Sequence, residues 1–435
     1  MVQEKPVAVI LAAGMGTRMG GRVAKPLLPL FGIPIVEHTI RALLERGYRI
    51  VVVYHNPAIA EYIERNFPDI ELIYNPHPER ENGYSLYLAS RKVKEDFLLV
   101  MSDHYYTEAF FEALPDSFDV SLAVLSRYCH DPDEATKVKV DGDRVVAISK
   151  DLSDYDLFDT GMFLCKEEIF ECARELVERK EKIKLAEIFQ LLADRGRLSY
   201  LEVDGKWIDI DAPWELELAE RIVKESLIKN EDGIISRRFN RHISVEITKR
   251  LAAYRFITPN RLTVFSFCMG LVAALLFAAG HPFWGGLWAQ LTSIVDGCDG
   301  ELARLRHMRS RFGAVLDSTT DRYADAFIML GILWGLPLSR FNLLGFFFAV
   351  TGVIIFSYVW HLTRIRVRVG GRDLRLFMVM IGGILGSLSQ VFLSVTLWSV
   401  GLVAHLCASL SLYKLFVEEN EKTQHYKSNA RNGLY

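Results

Sequence analysis

The sequence predicts an α/β Rossmann-like domain followed by an all-α six-helix transmembrane domain, and two observations lead to this prediction. The first half of the chain alternates short apolar runs with stretches of helical periodicity. The second half consists of long apolar runs separated by clusters of arginine, and it has no lysine between residues 251 and 413. The chain therefore combines two domains that are adapted to different solvents.

Composition excludes several classes of protein. The 435 residues include 51 basic and 54 acidic side chains, and this net charge of -3 gives no reason to expect a nucleic-acid partner. The six cysteines lack the spacing of a metal site or of a disulfide scaffold. We therefore expect reduced thiols and a fold held together by apolar cores.

The first half is expected to form a layered sheet with ligand-binding loops at the carboxyl ends of its strands. Its short apolar runs are typical of a buried parallel sheet. Strands are predicted at 7–11, 50–54, 97–101 and 120–125, and helices at 35–45, 59–66 and 85–93.

The apolar runs of the second half are about long enough to cross ~30 Å of hydrocarbon. Arginine and lysine concentrate in alternate loops, which places both termini and both candidate sites in the cytoplasm of a multi-pass cell-membrane protein. The predicted spans are 262–280, 282–302, 313–336, 341–363, 374–393 and 394–416.

A basic amphipathic helix is predicted just before the first span. Ile235, Phe239, Ile243, Ile247 and Leu251 recur every four residues, while the arginines lie largely on other faces. This pattern indicates a helix in the membrane interface, although a linker helix packed on the soluble domain would show the same periodicity. The predicted organisation is a cytosolic domain at 1–225, a linker with the interfacial helix at 226–260, a membrane domain at 261–416 and a cytoplasmic tail at 417–435.

A glycine-rich loop follows the first predicted strand and reads LAAGMGTRMGGRVAKPLLPL over residues 11–30. Its backbone can approach a polyphosphate closely, and Arg18 and Lys25 supply positive charge. The combined AAGxGTRM and KPL run resembles the signature of nucleotidyltransferases of the nucleotide-sugar pyrophosphorylase type. The resemblance extends over about residues 5 to 220.

This resemblance implies Mg²⁺ at Asp103 and at Asp209, with Asp211 as the competing ligand. Taken alone, an aspartate such as Asp103 at a strand end is also typical of a helix N-cap. The implied catalytic residues are Arg18 and Lys25, and the implied acceptor site comprises Lys150, Asp159 and Gly161. The implied nucleotide contacts are Leu11, Ala12, Ala13, Gly14, Gly16, Thr17, Asn82, Gly83 and Ser85.

Four aspartates form the second constellation, in the membrane half. Asp296 and Asp299 are three residues apart and Asp317 and Asp321 are four apart, so each pair shares a helix face. Carboxylates near a membrane are costly unless they bind cations, and the alternative is pairing with the neighbouring arginines. The pattern D-x2-D-G-x2-A-R-x8-G-x3-D-x3-D resembles the signature of CDP-alcohol phosphotransferases without departure, and the family resemblance covers about residues 236 to 416.

That resemblance implies two divalent metal ions, Mg²⁺ or Mn²⁺, bound by the four aspartates, with Asp321 also the general base. It implies a homodimer formed through the membrane domain. The nucleotide contacts would be Asn260, Thr263, Gly300, Arg304 and Ser310.

Arg364 and Arg366 belong to a cationic patch after the fourth span. One hypothesis is that they hold an anionic acceptor. Roles in membrane orientation or lipid headgroup binding would explain the same charges.

The two halves share a chemical intermediate, because one would make a CDP-alcohol that the other consumes. The fusion resembles the family of bifunctional inositol-1-phosphate cytidylyltransferases and di-myo-inositol phosphate phosphate synthases. This implies CTP, inositol 1-phosphate and CDP-inositol as ligands, with a lipid bilayer around the second domain. The alternatives are a phospholipid synthase and a membrane-tethered protein whose first domain only binds or regulates.

Overall fold

The structure is a computed structural model that describes residues 5–14, 24–228, 233–363, 365 and 371–432. The chain divides into two compact units, Met1–Ser226 and Leu227–Tyr435. Each unit has its own apolar core and is described by itself.

The first unit is built on a nine-stranded sheet with the order β5-β4-β1-β6-β11-β8-β12-β10-β9. Two short sheets, β2-β3 and β13-β7, flank it. The strands are β1 Val7–Ala12, β2 Pro29–Leu30, β3 Ile33–Pro34, β4 Arg49–Tyr54, β5 Glu71–Tyr74, β6 Phe97–Met101, β7 His104–Tyr106, β8 Ser121–Ser126, β9 Lys137–Asp141, β10 Arg144–Ser149, β11 Leu157–Cys165, β12 Leu198–Glu202 and β13 Trp207–Asp209.

Seven helices accompany these strands in the described residues of the first unit. They are α1 Ile35–Glu45, α2 Pro57–Asn66, α3 Glu81–Ala89, α4 Glu108–Glu112, α5 Ile169–Arg179, α6 Leu185–Asp194 and α7 Pro213–Leu227.

The expectation of a parallel sheet was only partly right, because the sheet is mixed. Strands β5, β4, β1 and β6 run parallel, as do β8 and β12. Strand β11 lies between β6 and β8 and is antiparallel to both. It is apolar and mostly buried, so its sequence resembles that of its parallel neighbours and does not reveal its direction.

The parallel block explains where ligands can bind in the first unit. Every residue of β1 is buried, with one apolar cluster on each side of the sheet. The carboxyl ends of β1 and β6 lie side by side, since Leu11 pairs with Met101. The loops that follow these two strands therefore open at the same edge.

The second unit is helical throughout its described residues. A π-helical turn at Ser236–Asn240 leads into the first helix. The helices are α8 Arg241–Leu251, α9 Pro259–Ala278, α10 Pro282–Leu305, α11 Arg311–Trp334, α12 Arg340–Thr363, α13 Arg372–Gly386 and α14 Val391–Asn432.

Each predicted span corresponds to one helix from α9 to α14. In the described part of the chain, three segments are long and apolar enough to cross a membrane: Pro259–Ala278, Arg340–Thr363 and Val391–Val417. Helices α10 and α11 carry the aspartates of the motif, and α13 has only 15 residues. Together with its many exposed apolar side chains, this identifies the second unit as membrane-associated.

Helix α8 has an unusual distribution of polarity. Its buried residues include Arg241, Ser244 and Thr248, whereas Phe239 and Ile243 are 59% and 50% exposed. Arg241, Ser244 and Thr248 thus pack inside the unit together with Val245, whereas Phe239 and Ile243 are turned outward beside the charged Glu246 and Arg250.

Candidate active sites

The site of the first unit is assembled from three separate segments. Lys25 lies at the start of a 3-10 turn, Asp103 follows β6, and Asp209 ends β13. Strands β7 and β13 pair antiparallel with Asp209 opposite His104. This small sheet brings the late carboxylate beside the early one, although more than 100 residues separate them.

Lys25 is buried and contacts three carboxylates. Its Nζ lies 2.7 Å from Asp103 Oδ2 and 3.1 Å from Asp209 Oδ1, and it also contacts Asp211 Oδ1. Burial disfavours the lysine charge, but these carboxylates outweigh burial and raise the pKa of Lys25. The ammonium is therefore charged at neutral pH and neutralises part of an acidic cluster.

His104 connects the two candidate metal ligands. Its Nδ1 lies 3.0 Å from Asp103 Oδ1 and 3.7 Å from Asp209 Oδ1, and its ring stacks on Trp207. Burial opposes its protonation, but Asp209 and Asp103 raise the pKa of His104. Sequence reasoning assigned it no role, although its position next to Asp103 was a usable signal.

The two aspartates titrate in opposite directions. Burial opposes ionisation of Asp103, but Lys25 and then His104 overcome it and lower the pKa of Asp103. Burial raises the pKa of Asp209, and the negative charge of Asp103 adds to that shift, although His104 partly opposes it. One carboxylate is thus firmly ionised beside a neighbour that resists charge, an arrangement that a bound cation would relieve.

The donor set fits a divalent cation. One atom each from Asp103, His104 and Asp209 lie within 4.8 Å of one another. Carboxylate oxygens are the ligands that Mg²⁺ prefers, and imidazole suits the softer transition metals.

The predicted acceptor residues lie at two places. Asp159 accepts a hydrogen bond from Gly161 N at 2.8 Å, and burial raises the pKa of Asp159 to about 6. Gly161 is pressed against the site, because a Cβ there would lie 3.0 Å from His104 Nε2. Lys150 is exposed, and its Nζ is 3.9 Å from Glu134 Oε2.

The predicted base and ribose contacts are held in place by hydrogen bonds. The partners of Asn82 and Gly83 lie in α6 and the segment before it, and the partner of Ser85 follows β5. Asn82 Oδ1 accepts a hydrogen bond from Leu185 N at 2.8 Å, and Gly83 N donates to Ile183 O at 2.9 Å. Ser85 is buried and accepts from Asn75 Nδ2 at 3.0 Å. Leu11, Ala12 and Ala13 are buried at the end of β1, and Gly14 follows them. Gly16, Thr17 and Arg18 lie outside the described residues.

The second site lies where α9, α10, α11 and α13 meet. One oxygen each of Asp296, Asp299 and Asp317 lie within 4.8 Å of one another, a donor set that fits a divalent cation. Ser266 Oγ donates to Asp296 at 3.1 Å, and Thr263 Oγ1 donates to Asp299 at 2.5 Å. The structure thus brings together three of the four predicted ligands and places Thr263 directly beside one of them.

Asp321 faces cations instead of the other three carboxylates. Its Oδ1 is 2.5 Å from an Arg372 guanidinium nitrogen that also lies 2.8 Å from Asp296 Oδ2. Arg322 lies 3.3 Å from the other oxygen of Asp321. A general base, the role predicted for Asp321, needs access to an acceptor hydroxyl. In the structure this carboxylate is paired with Arg372.

Sequence reasoning missed Asp325 and the inward orientation of Arg372 and Arg375. Arg372 Nε donates to Asp325 Oδ1 at 3.0 Å, and Arg375 donates to Asp325 Oδ2 at 3.1 Å. Asp325 continues the four-residue spacing of Asp317 and Asp321, so the helix period could have identified it. No local pattern shows that the arginines of α13 turn toward α11.

The remaining predicted contacts of the second unit lie near the ends of α9, α10 and α11. Ser310 caps α11 by accepting from Gly313 N at 2.9 Å, and Asn260 Oδ1 lies 3.1 Å from where a Cβ on Gly313 would be. Arg304 donates to Leu227 O at 2.9 Å and lies beside Gly300. Arg364 and Arg366 lie outside the described residues.

Comparison with known proteins agrees with this division into two sites. Residues 8–149 match the MobA-like NTP transferase domain family, and residues 256–408 match the CDP-alcohol phosphatidyltransferase family. A "Bifunctional IPC transferase and DIPP synthase" from Aquifex aeolicus (strain VF5) is 36% identical over 429 residues, which cover 93% of this chain and 97% of the relative. The chain belongs to this bifunctional family.

Two further relatives are similar to parts of the chain. The bifunctional IPC transferase and DIPP synthase of Thermococcus kodakarensis is 41% identical over 332 residues, or 75% of this chain and 74% of its own length. A phosphatidylinositol phosphate synthase of Mycobacteroides abscessus is 42% identical over 103 residues, or 23% of this chain and 46% of its own length. Both family halves are thus present in one chain as a nucleotidyltransferase and a CDP-alcohol phosphotransferase.

Proposed function

We propose that the protein makes CDP-inositol from CTP and inositol 1-phosphate, and then transfers the inositol phosphate group to a second inositol 1-phosphate. The products are pyrophosphate in the first reaction, and CMP and di-myo-inositol phosphate phosphate in the second. One observation carries the proposal: two separate carboxylate and cation clusters, one in each unit, occur in a chain that spans 97% of a bifunctional relative.

In the first reaction, a phosphate oxygen of inositol 1-phosphate attacks the α-phosphorus of CTP, and pyrophosphate leaves. Lys25, charged and held by carboxylates, neutralises negative charge on the triphosphate, and Arg18 adds a second cation. Mg²⁺ held by Asp103 and Asp209 would supply further charge neutralisation. Asp209 is favoured over Asp211 as the ligand because its carboxylate lies beside Asp103 and His104.

Substrate positions in the first unit follow from the sheet edge. We assign the triphosphate to the glycine-rich loop after β1 and the acceptor to Lys150, Asp159 and Gly161. Asn82, Gly83 and Ser85 would shape the base and ribose pocket through the backbone that their structural contacts hold in place.

In the second reaction, a hydroxyl of inositol 1-phosphate attacks the inositol-bearing phosphorus of CDP-inositol, and CMP leaves. Asp321 accepts the hydroxyl proton once the acceptor reaches the position that Arg372 now shares. Two divalent ions held by Asp296, Asp299, Asp317 and Asp321 would stabilise the charge on the diphosphate. Asn260, Thr263, Gly300, Arg304 and Ser310 surround the cytidine and phosphate side, and Arg364 and Arg366 would hold the acceptor phosphate.

The architecture that supports these reactions is a cytosolic domain at 1–225, an interfacial segment at 226–260, six spans within 261–416 and a cytoplasmic tail at 417–435. Both sites would face the cytoplasm, where CTP and inositol 1-phosphate are available. A homodimer formed through the membrane unit completes the proposal.

The test uses purified protein with CTP, Mg²⁺ and inositol 1-phosphate in detergent without added lipid. We expect pyrophosphate release followed by CMP release. Asp321→Asn should abolish CMP release while CDP-inositol accumulates, and Asp103→Asn should abolish pyrophosphate release while CMP release from supplied CDP-inositol persists. Absence of pyrophosphate release with inositol 1-phosphate would contradict the proposal.

A second candidate is a phospholipid synthase whose membrane unit uses a lipid CDP-alcohol or a lipid acceptor. The match to a phosphatidylinositol phosphate synthase over 103 residues supports this second candidate. The same assay separates the two, because a phospholipid synthase would release CMP only when the lipid substrate is added.

A further inference from the structure

Glu301 is a buried carboxylate that accepts hydrogen bonds from three side chains of α8. It lies on α10, two residues after Asp299, and is fully inaccessible to solvent. One oxygen accepts from Arg241 at 2.7 Å and from Ser244 Oγ at 2.6 Å, and the other accepts from Thr248 Oγ1 at 2.7 Å. A buried charge is tolerated when it is paired and hydrogen-bonded in this way.

The attachment continues along the same face of α10. Arg241 also donates to Gly297 O at 3.2 Å, and a Cβ at Gly297 would lie 3.0 Å from its guanidinium. Asn240 donates to Ser293 Oγ at 3.1 Å. Positions 293, 297 and 301 recur every four residues, so one stripe of α10 receives the polar face of α8 and the turn before it.

The metal-site aspartates lie on a different face of that same turn. Asp296 precedes Gly297 by one residue, which is about 100° around the helix. Any rotation of α10 about its axis would therefore move Asp296 and Asp299 away from Asp317. Arg241 and Glu301 resist that rotation, because both the side chain of Glu301 and the backbone of Gly297 are tied to one guanidinium.

We propose that Arg241 and Glu301 are positioning residues of the second site, which hold α10 at the rotation that directs Asp296 and Asp299 toward Asp317. The inference rests on the proposed function of the second unit. It assigns α8 a role in catalysis, in addition to any contact of its apolar face with the membrane. A purely packing role would be served equally well by apolar residues, which avoid the cost of burying two charges.

The experiment compares Arg241→Met, Glu301→Leu and the double variant in the full-length protein. Arg250→Met is the matched control, because Arg250 lies on the same helix but is exposed and pairs with Glu246 at 3.4 Å. Three quantities are measured: CMP release from supplied CDP-inositol, the Mg²⁺ concentration that gives half-maximal rate, and hydrogen exchange of the peptide covering residues 293–301.

Each single variant should lower CMP release about tenfold or more, the usual range for partners that orient metal ligands, and should raise the half-maximal Mg²⁺ concentration. Exchange at 293–301 should become faster. The double variant should recover part of the loss, because no buried charge is left without its partner. Pyrophosphate release should stay at the wild-type value, which shows that the first unit is intact, and hydrogen exchange of α12, which lies in the second unit away from the substitutions, should match wild type if that unit is folded.

Single variants with the kinetics and exchange of Arg250→Met would overturn the proposal. A double variant no better than either single would also overturn it, since the pair would then not act as a unit. If wild-type protein released no CMP from CDP-inositol, the proposed function would fail, whereas the exchange measurement would still report on the attachment of α8 to α10.

Discussion

Gly161 adopts a backbone conformation and a contact that both exclude a larger residue. Its φ is +72°, and a Cβ would lie 2.7 Å from Met101 Cγ and 3.0 Å from His104 Nε2. Left-handed φ costs a non-glycine residue about 1–2 kcal/mol. The contact adds a displacement of His104, which lies between Asp103 and Asp209.

Gly161→Ala should therefore lower pyrophosphate release strongly, by about tenfold or more given its contact with a metal-ligand partner. CMP release from supplied CDP-inositol should not change. Gly142→Ala is the control, because Gly142 has φ +59° and no atom within 4 Å of its added Cβ. Equal rates for the two variants would show that backbone strain alone, and not the position of His104, determines the effect.

Asp159 provides a pH-dependent contribution to the stability of the first unit. Burial raises its pKa to about 6, so between the ordinary value and pH 6 the folded state binds the proton more strongly than the unfolded state. The stabilisation from this group is fully present below the ordinary pKa and is lost as pH rises through 6.

Asp159→Asn stays neutral and keeps an oxygen that can accept from Gly161 N. Its melting temperature should therefore fall less than that of wild type between pH 5 and pH 7, as measured by thermal unfolding of the full-length protein. The exposed Asp143→Asn should follow wild type. Parallel curves for all three proteins would contradict this account.

At the scale of elements, sequence patterns located helices α9 to α14 of the second unit, but only four of the thirteen strands and three of the seven helices that the structure describes in the first unit. Helix α1 has the predicted bounds, and strands β1 and β6 differ from prediction by at most one residue. Helix α3 begins at Glu81, four residues before the predicted start, after a turn with φ +65° at that residue. The β11 strand was not predicted, because Asp159, Thr160 and Gly161 interrupt its apolar run and are typical of a turn.

In the sites as well, the sequence predicted individual residues but not the contacts that arise when helices pack together. The resemblance to nucleotidyltransferases implied roles for Lys25, Asp103 and Asp209, which the fold brings into contact. It did not predict that Arg372 would lie between Asp296 and Asp321, or that Arg241 would reach Glu301. Those contacts depend on how α8 and α13 pack against α10, which no single helix encodes.

The outward apolar face of α8 leads to a prediction about depth in the membrane. Ile243 is 50% exposed, and the chain next enters the apolar helix α9. An exposed apolar face next to a membrane helix favours a position at the level of the lipid headgroups and upper acyl chains.

Ile243→Trp in reconstituted vesicles should be quenched by brominated lipids more strongly than His242→Trp, which is also exposed but lies about 100° around the same helix. Both spectra are read as the difference from wild type, because the chain has seven native tryptophans. Equally weak quenching at the two positions would place the helix away from the bilayer.

At the scale of the whole molecule, both units combine clustered carboxylates with a cationic side chain. Each opposes a set of carboxylates with a cation, the buried Lys25 in the first unit and the largely buried Arg372 in the second. Reactions at phosphorus bring several negative charges into one place, so such sites need compensating cations and strict positioning more than a nucleophilic side chain. The same chemistry is thus built once on a sheet edge and once among helices.

The number of membrane crossings distinguishes two arrangements of the second unit. With a cytoplasmic amino-terminal side, six crossings place Arg309 in the cytoplasm and Ser389 outside. If only α9, α12 and α14 crossed, Arg309 would lie outside and Ser389 in the cytoplasm. His281 would lie outside in both arrangements and serves as the positive control.

The test adds one cysteine at a time to a background with Cys129 and Cys268 replaced by serine, since the four native cysteines that remain are buried. Intact cells are treated with a membrane-impermeant maleimide. We expect labelling of His281→Cys and Ser389→Cys but not of Arg309→Cys until the membrane is opened. The opposite pattern at positions 309 and 389 would establish three crossings. Helices α10, α11 and α13, which carry the carboxylates and arginines of the site, would then lie at the membrane surface.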